Sequence, residues 1–274
     1  MKRTLSLFAL VLLMSLGLAA SNSFASGTPG KAGFMMMNSS NLVGAPVRDS
    51  HGELVGIVNG VIIDSAGYAF ALINHGDYDL AGESGINTPV PFQELQIFRA
   101  KGGQDSVVLK TDMEHLDFAP YFDPLKRATR HDEANIYEYY GIEPNWTEAG
   151  AATTTGKGRF MELNSFDLTG AAVENSCGKV EGIVNEIMVD SAGHAFAVIN
   201  HGDYDLYGDS GVNTPVPIQE LRILKPEGGQ YTVVLKTDME HLDLAPYLSP
   251  LTKLNRQYEA NLFEYYGIQP SWTD

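Results

Sequence analysis

Two acidic loops carry the side chains whose type and spacing come closest to a metal site. In each loop, carboxylates stand at the first and third positions and a glycine at the sixth, as in a calcium-binding loop. The twelfth position, which should supply a bidentate glutamate, is Thr88 in one loop and Thr214 in the other. We therefore expect the Asp side chains to form turns, with weak calcium binding as the alternative and no other cofactor. The candidate ligands are Asp77, Asp79, Glu83, Asp203, Asp205 and Asp209.

A second group of residues is chemically able to act as acids, bases or nucleophiles. His75 stands close to Asp77, His115 follows Glu114, and Ser84 lies in the first acidic loop. Such pairs can transfer protons, and a serine can attack a carbonyl carbon. None of them belongs to a Gly-x-Ser-x-Gly or His-Glu-x-x-His fingerprint. We predict a protein without enzymatic activity, and an unrecognised hydrolase is the alternative.

Aromatic side chains cluster near two points of the chain. Rings of this kind form recognition surfaces in some proteins, but they more often pack in a core. We expect packing on a neighbouring element, with protein recognition as the alternative. The candidate interaction residues are Tyr139, Tyr140, Trp146, Tyr265, Tyr266 and Trp272.

All of these residues occur twice because the chain is an internal duplication. The stretch 73–80 returns unchanged as 199–206, and 34–148 aligns with 160–274 without a gap, with roughly 70 of about 115 positions identical. Gly-rich segments at 26–33 and 149–159 are typical of a flexible leader and a linker. The sequence therefore predicts two domains of one fold. Because the apolar stripe of Leu251, Leu254 and Leu262 exceeds what a lone domain covers, we expect an intrachain pseudo-dimer.

The first residues predict export. Lys2 and Arg3 precede an apolar run over 5–20, and Ala25 offers a small residue for cleavage. We expect a signal peptide at 1–25 and a periplasmic or secreted product, with a retained anchor as the alternative. The formal net charge of −16 disfavours nucleic acid and an anionic membrane surface. The expected partner is a protein, without direct membrane insertion after cleavage.

Short runs rich in Val and Ile, separated by turn residues, predict a mainly β fold with about six strands per copy. Because many short strands leave exposed edges, we expect a small closed or half-closed barrel. Thr111 and Thr237 open capping boxes that predict one short helix. A second helix is predicted after Pro124 and Pro250, ending at Gly141 and Gly267. The predicted strands of the first copy are 42–48, 54–64, 68–74, 88–92, 96–98 and 106–110.

The order of these signals resembles the PRC-barrel family. The resemblance is carried by Leu42-Val43-Gly44, Asp49-Ser50-His51-Gly52, Val61-Ile62-Ile63-Asp64 and Val90-Pro91-Phe92, and by Leu168-Thr169-Gly170, Val189-Asp190 and Val216-Pro217-Ile218 in the second copy. The family includes a domain of the photosynthetic reaction centre H subunit and a domain of a ribosome maturation factor. The resemblance implies a six-stranded β-barrel used for protein contacts, with no catalytic residues. The sequence thus predicts an exported tandem PRC-barrel protein that serves as an interaction or structural module in the cell envelope.

Overall fold

Each copy of the repeat folds into a curled β-sheet with a few short helices around it. The computed structural model describes residues 36–64, 66–76, 85–99, 105–121, 130–142, 163–202, 211–224, 229–249 and 251–268. The expected signal peptide, leader and linker lie outside these residues. The described residues from Met36 onward belong to one compact unit.

Among the described residues, seven strands come from each repeat. Those of the first are β1 Met37–Asn38, β2 Pro46–Arg48, β3 Leu54–Ile63, β4 Ala69–His75, β5 Ile86–Pro91, β6 Leu95–Phe98 and β7 Ser106–Leu109. Those of the second are β8 Leu163–Asn164, β9 Ala172–Glu174, β10 Val180–Val189, β11 Ala195–His201, β12 Val212–Pro217, β13 Leu221–Leu224 and β14 Thr232–Leu235. The helices are α1 Met113–Asp117, α2 Arg130–Tyr139, α3 Ser165–Leu168, α4 Met239–Leu244 and α5 Arg256–Tyr266, with 3-10 turns at Ser39–Asn41, Phe92–Glu94 and Ile218–Glu220.

The two sheets have the same topology. The first runs β5-β4-β3-β2-β7-β6 and the second β12-β11-β10-β9-β14-β13, with a parallel pair between β2 and β7 and between β9 and β14. The register shifts between Val58 and Gly60, and between Val184 and Glu186, so that the longest strand of each sheet carries an irregularity. Bulges of this kind bend a strand and increase its twist. The prediction of a mainly β protein with two tandem barrel-like domains is confirmed, and each barrel is half-closed.

The two repeats exchange short strands. β1 of the first repeat pairs with β10 of the second, and β8 of the second pairs with β3 of the first. The Asn38 side chain extends the first contact by donating to the Glu186 carboxylate. At the centre, the Ala69 amide donates to the Gly193 carbonyl at 2.7 Å, and the Ala195 amide donates to the Gly67 carbonyl at 2.8 Å. The duplication therefore takes the form of an intrachain pseudo-repeat joined by backbone hydrogen bonds.

One hydrophobic core includes residues of both repeats, and α2 and α5 cover the outer faces of their own sheets. Phe196 meets Phe263 edge-on at 5.5 Å, and Phe70 meets Tyr137 in the same way at 5.3 Å. The predicted stripe is partly right, because Leu262 on α5 and Leu254 just before the helix pack in this layer. Leu251 was wrongly included, because its side chain is 90% exposed.

The helix boundaries differ from the sequence prediction at their first turns. Asp112, rather than Thr111, caps α1 by accepting from the His115 amide at 2.9 Å. The outer helix of the second repeat begins at Arg256, with Asn255 as its cap, which is later than the proline pattern predicts. The predicted stop at Gly267 is correct, since this residue adopts a φ of +66° that favours glycine. Within the described residues, no helix has the length and apolar character that crossing a membrane requires.

Candidate functional site

A histidine, a threonine and an aspartate meet where β4, β5 and α1 come together. His75 Nε2 lies 2.8 Å from Thr88 Oγ1, and His75 Nδ1 lies 3.3 Å from Asp117 Oδ1. The partner of His75 is therefore Asp117, and the expected partner Asp77 lies outside the described residues. The second repeat has the same arrangement, with distances of 2.9 Å and 3.2 Å between His201, Thr214 and Asp243.

These three residues have the types and the mutual contacts of a nucleophilic triad. The histidine and the hydroxyl, however, are not accessible to solvent. His75 and Thr88 are each 1% exposed, and only the carboxylate of Asp117 reaches solvent. Burial lowers the pKa of His75, and the nearby Asp117 carboxylate opposes this only in part. A neutral imidazole bound to a buried hydroxyl fastens the sheet to α1, and in the part of the chain that the structure describes this hydroxyl is closed to solvent.

A buried group of three ionisable residues lies beneath α5 in the second repeat. Asp190 Oδ1 accepts hydrogen bonds from the Ala192 and His194 amides, both at 2.8 Å, and Asp190 Oδ2 contacts His194 Nδ1. Glu259 Oε1 lies 3.9 Å from His194 Nδ1. Burial, reinforced by Asp190, raises the pKa of Glu259 to about 11. Burial also acts to raise the pKa of Asp190, but the neighbouring His194 and Glu259 side chains and the backbone amide of His194 outweigh it and the pKa is lowered.

The first repeat keeps the two carboxylates but not the histidine. Asp64 accepts from the Ala66 and Tyr68 amides at 2.8 Å, in the same turn geometry, and Glu133 occupies the place of Glu259. The Tyr137 hydroxyl lies 3.4 Å from Asp64 Oδ2 and donates to it. Burial raises the pKa of Asp64 although the Glu133 hydrogen bond opposes this. Tyr68 and Tyr137 thus correspond to His194 and Phe263.

The predicted aromatic residues lie at the ends of the outer helices. The Tyr139 hydroxyl donates to the His115 carbonyl at 2.5 Å, and the two rings stack with centroids 4.6 Å apart. Tyr265 does the same with His241 at 4.5 Å. Tyr140 and Tyr266 are half-buried and pack against the shared core. These four tyrosines hold α2 and α5 against α1 and α4, whereas Trp146 and Trp272 lie outside the described residues.

A groove of about 680 Å³ opens beside these tyrosines in the second repeat. Leu244 and Tyr247 lie in its wall and are 71% and 57% exposed. At the matching positions of the first repeat, Phe118 and Tyr121 are 75% and 64% exposed. The remaining lining residues are Asp243, Ala245, Pro246, Asn261, Glu264 and Tyr265.

The six carboxylates proposed for calcium lie outside the described residues: Asp77, Asp79, Glu83, Asp203, Asp205 and Asp209. Sequence reasoning did not find the Asp190 group. Asp190 and His194 come from one hairpin turn, but Glu259 comes from a helix far along the chain, and no local spacing connects it to the other two. One sequence signal could have found the group: His194 and Phe263 replace Tyr68 and Tyr137, although the residues around these two positions are well matched between the repeats.

A scan against protein-family models finds no match to the chain, and a search of curated proteins finds no match either.

Proposed function

We propose that this chain is an exported, non-enzymatic, tandem PRC-barrel-like protein that binds another protein in the cell envelope. One observation carries the proposal: large apolar side chains are exposed at the same two positions of both repeats. Phe118 and Tyr121 occupy these positions in the first repeat, and Leu244 and Tyr247 in the second. Single exposed apolar residues are common on protein surfaces, but a pair that recurs in both repeats and lines a groove in the second is typical of a binding site.

The charge around the groove indicates the chemistry of the partner. Asp243 and Glu264 place carboxylates at the apolar wall formed by Leu244 and Tyr247. The whole chain carries a formal net charge of −16, which adds a favourable long-range attraction for cations. The surface therefore suits a segment with apolar anchors flanked by Lys or Arg.

The absence of enzymatic activity is part of the same proposal. The hydroxyl nearest to a histidine and an aspartate, that of Thr88, is buried and engaged with His75. The Asp190 group is likewise closed to solvent. A hydrolase needs a nucleophile that reaches its substrate. Activity toward ester, peptide or phosphate substrates, lost on replacing His75 or His201, would contradict the proposal.

Export and calcium binding have their own tests. A mature protein beginning near Ser26 in an envelope fraction supports export, and a cytoplasmic product retaining Met1 contradicts it. Calorimetry with calcium on the wild type and on an Asp77→Ala, Asp79→Ala variant decides the alternative. Tight binding that the variant loses would favour a cation-binding module.

The binding proposal is tested by capture from the native envelope with a groove variant as probe. Replacing Leu244 and Tyr247 by serine removes the exposed apolar pair without touching the core. We expect the captured partner to fall by more than about tenfold. Leu251→Ser is the matched control, because Leu251 is more exposed than either residue and does not line the groove. Equal capture by all three proteins would contradict the proposal, and a Phe118→Ser, Tyr121→Ser variant measures the share of the first repeat.

A further inference from the structure

A closed pocket between the β10–β11 turn and α5 brings one imidazole and two carboxylates together. One ligand atom each of Asp190, His194 and Glu259 lies within 4.8 Å of the others, and all three residues are buried. Imidazole nitrogen with carboxylate oxygen is a donor set of transition-metal sites in proteins. We propose that these three residues form a binding site for a first-row divalent transition cation, for which Zn²⁺ is the probe.

The state of Glu259 is the independent observation that points to a ligand. Its side chain is 0% exposed, and within the described part of the chain neither of its carboxylate oxygens receives a hydrogen bond. Protonation would let one oxygen donate to Asp190, but the other would still have no donor. An unsatisfied buried acceptor costs about 1–3 kcal/mol or more. A cation bound by the three residues would displace the proton shared by His194 Nδ1 and Asp190 Oδ2 and would satisfy the Glu259 oxygen.

The protein holds the other two ligands in position. Asp190 Oδ1 is engaged by two backbone amides of the turn, which leaves Oδ2 directed at His194. The His194 ring is packed edge-on against Phe263, with centroids 4.9 Å apart. Surrounding contacts of this kind orient metal ligands and are part of a site.

The first repeat supplies a built-in comparison. Asp64 and Glu133 keep the carboxylates there, but Tyr68 replaces the histidine and the Tyr137 hydroxyl donates to Asp64. The first repeat therefore lacks the imidazole ligand, and the Tyr137 hydroxyl already occupies Asp64 Oδ2. The proposed ion therefore occupies the second repeat, and the described residues of the first repeat offer no matching set of ligands.

The test measures zinc bound to the full mature chain. Because the ligands are closed to solvent, the ion is supplied during synthesis, in a zinc-supplemented culture, and loosely bound metal is removed by gel filtration. We expect about one zinc ion per chain by elemental analysis. In a Glu259→Gln variant, and in a His194→Tyr, Phe263→Tyr double variant, zinc should fall by more than about tenfold.

The double variant is designed to fold, since it installs the residues that the first repeat accommodates at the same positions. Circular dichroism verifies folding before the zinc is measured. Glu133→Gln is the matched control and should retain the wild-type zinc content. A wild type without stoichiometric zinc would overturn the proposal, because the carboxylate pair would then hold a proton only. Zinc that persists in the double variant would also overturn it, because the ion would then be bound elsewhere.

Discussion

Beneath their outer helices, the first and second repeats both bury a pair of carboxylates, but the side chains that contact these carboxylates differ. Each must bury two carboxylates at the end of a hairpin turn, Asp64 with Glu133 and Asp190 with Glu259. In the first repeat the Tyr137 hydroxyl on the helix donates to Asp64, whereas in the second the partner of Asp190 is the His194 imidazole on the hairpin, which donates when no cation is bound. His194 stands in place of Tyr68, and Phe263 in place of Tyr137. The polar partner of the aspartate therefore lies on the helix in the first repeat and on the hairpin in the second. The carboxylate pair is therefore the constant requirement, and the donor is the variable part.

The contact between β4, β5 and α1 shows the opposite behaviour. Its three residues are identical in the two repeats, and the distances agree within 0.1 Å at both side-chain contacts of the histidine, 2.8 against 2.9 Å and 3.3 against 3.2 Å. A feature that stays the same in both halves of one chain is explained by a shared structural role. The pocket in which the halves differ is the better place to look for a property of one repeat.

The largest effect on stability is expected at Phe263, which corresponds to the donor Tyr137 and packs in the apolar layer beneath α5. Its ring contacts Phe196 and His194 and is fully buried. Phe263→Ala should lower the free energy of unfolding by about 3–5 kcal/mol through loss of burial and an unfilled cavity. Phe263→Tyr, which inserts the residue of the first repeat, should cost less than about 1.5 kcal/mol. Denaturant unfolding measures both, and equal losses would show that the two pockets are not interchangeable.

A close approach of a glycine to a neighbouring strand occurs in both repeats, and substitution of this glycine should destabilise both to a similar extent. A Cβ added to Gly56 would lie 2.3 Å from the Asn74 carbonyl oxygen, and one added to Gly182 would lie 2.4 Å from that of Asn200. Because backbone must move in each case, Gly56→Ala and Gly182→Ala should each destabilise by about 1–3 kcal/mol. Thermal unfolding of the two variants measures the change.

Gly60→Ala is the control for these glycine variants. The nearest atom to its added Cβ is 3.8 Å away, and the second repeat has Glu186 at this position. We expect a change within about 0.5 kcal/mol. A loss at Gly60 equal to that at Gly56 would mean that backbone freedom, rather than close approach, decides the effect.

The sequence predicted the repeated domains and the six main strands well because both depend on local pattern. The exchanged strands β1 and β8 could not be predicted, since two residues carry no periodicity. The capping residue was off by one position because Thr111 and Asp112 are both good helix caps. The buried carboxylates were missed because Asp64 has the pattern of a turn residue, and nothing in the local sequence of Glu133 indicates burial. Their pairing depends on how α2 docks, which is a tertiary property.

The pair Tyr68 and Tyr137 of the first repeat should be replaceable by the pair of residues that the second repeat has at these positions, His194 and Phe263. Tyr137→Phe removes the hydroxyl that donates to Asp64 and should cost about 1 kcal/mol. Adding Tyr68→His then completes the residue set of the second repeat and should recover part of the loss. A double-mutant cycle by denaturant unfolding isolates the coupling between the two positions. Purely additive losses would mean that the paired difference between the repeats is incidental.

Both repeats should share a pH dependence of stability through His75 and His201. Burial lowers the pKa of each below its ordinary value of 6.5, and the carboxylates of Asp117 and Asp243 oppose this only in part. The unfolded chain therefore takes up protons at a higher pH than the folded protein does. This contribution to stability is fully present above pH 6.5 and is lost as the pH falls from there through the folded-state pKa. The slope is at most about 1.4 kcal/mol per pH unit for each histidine.

Replacing one histidine at a time separates the two repeats in this measurement. His75→Gln and His201→Gln should each remove a similar share of the slope of unfolding free energy between pH 6.5 and pH 5, because the two environments match. His51→Gln is the control, since its side chain is 71% exposed in the folded protein. Asp117→Asn should instead extend the loss of stability to lower pH, because the carboxylate that favours protonated His75 is gone. If only one of the two histidine variants changed the slope, the repeats would differ in the feature that their geometry presents as common to both.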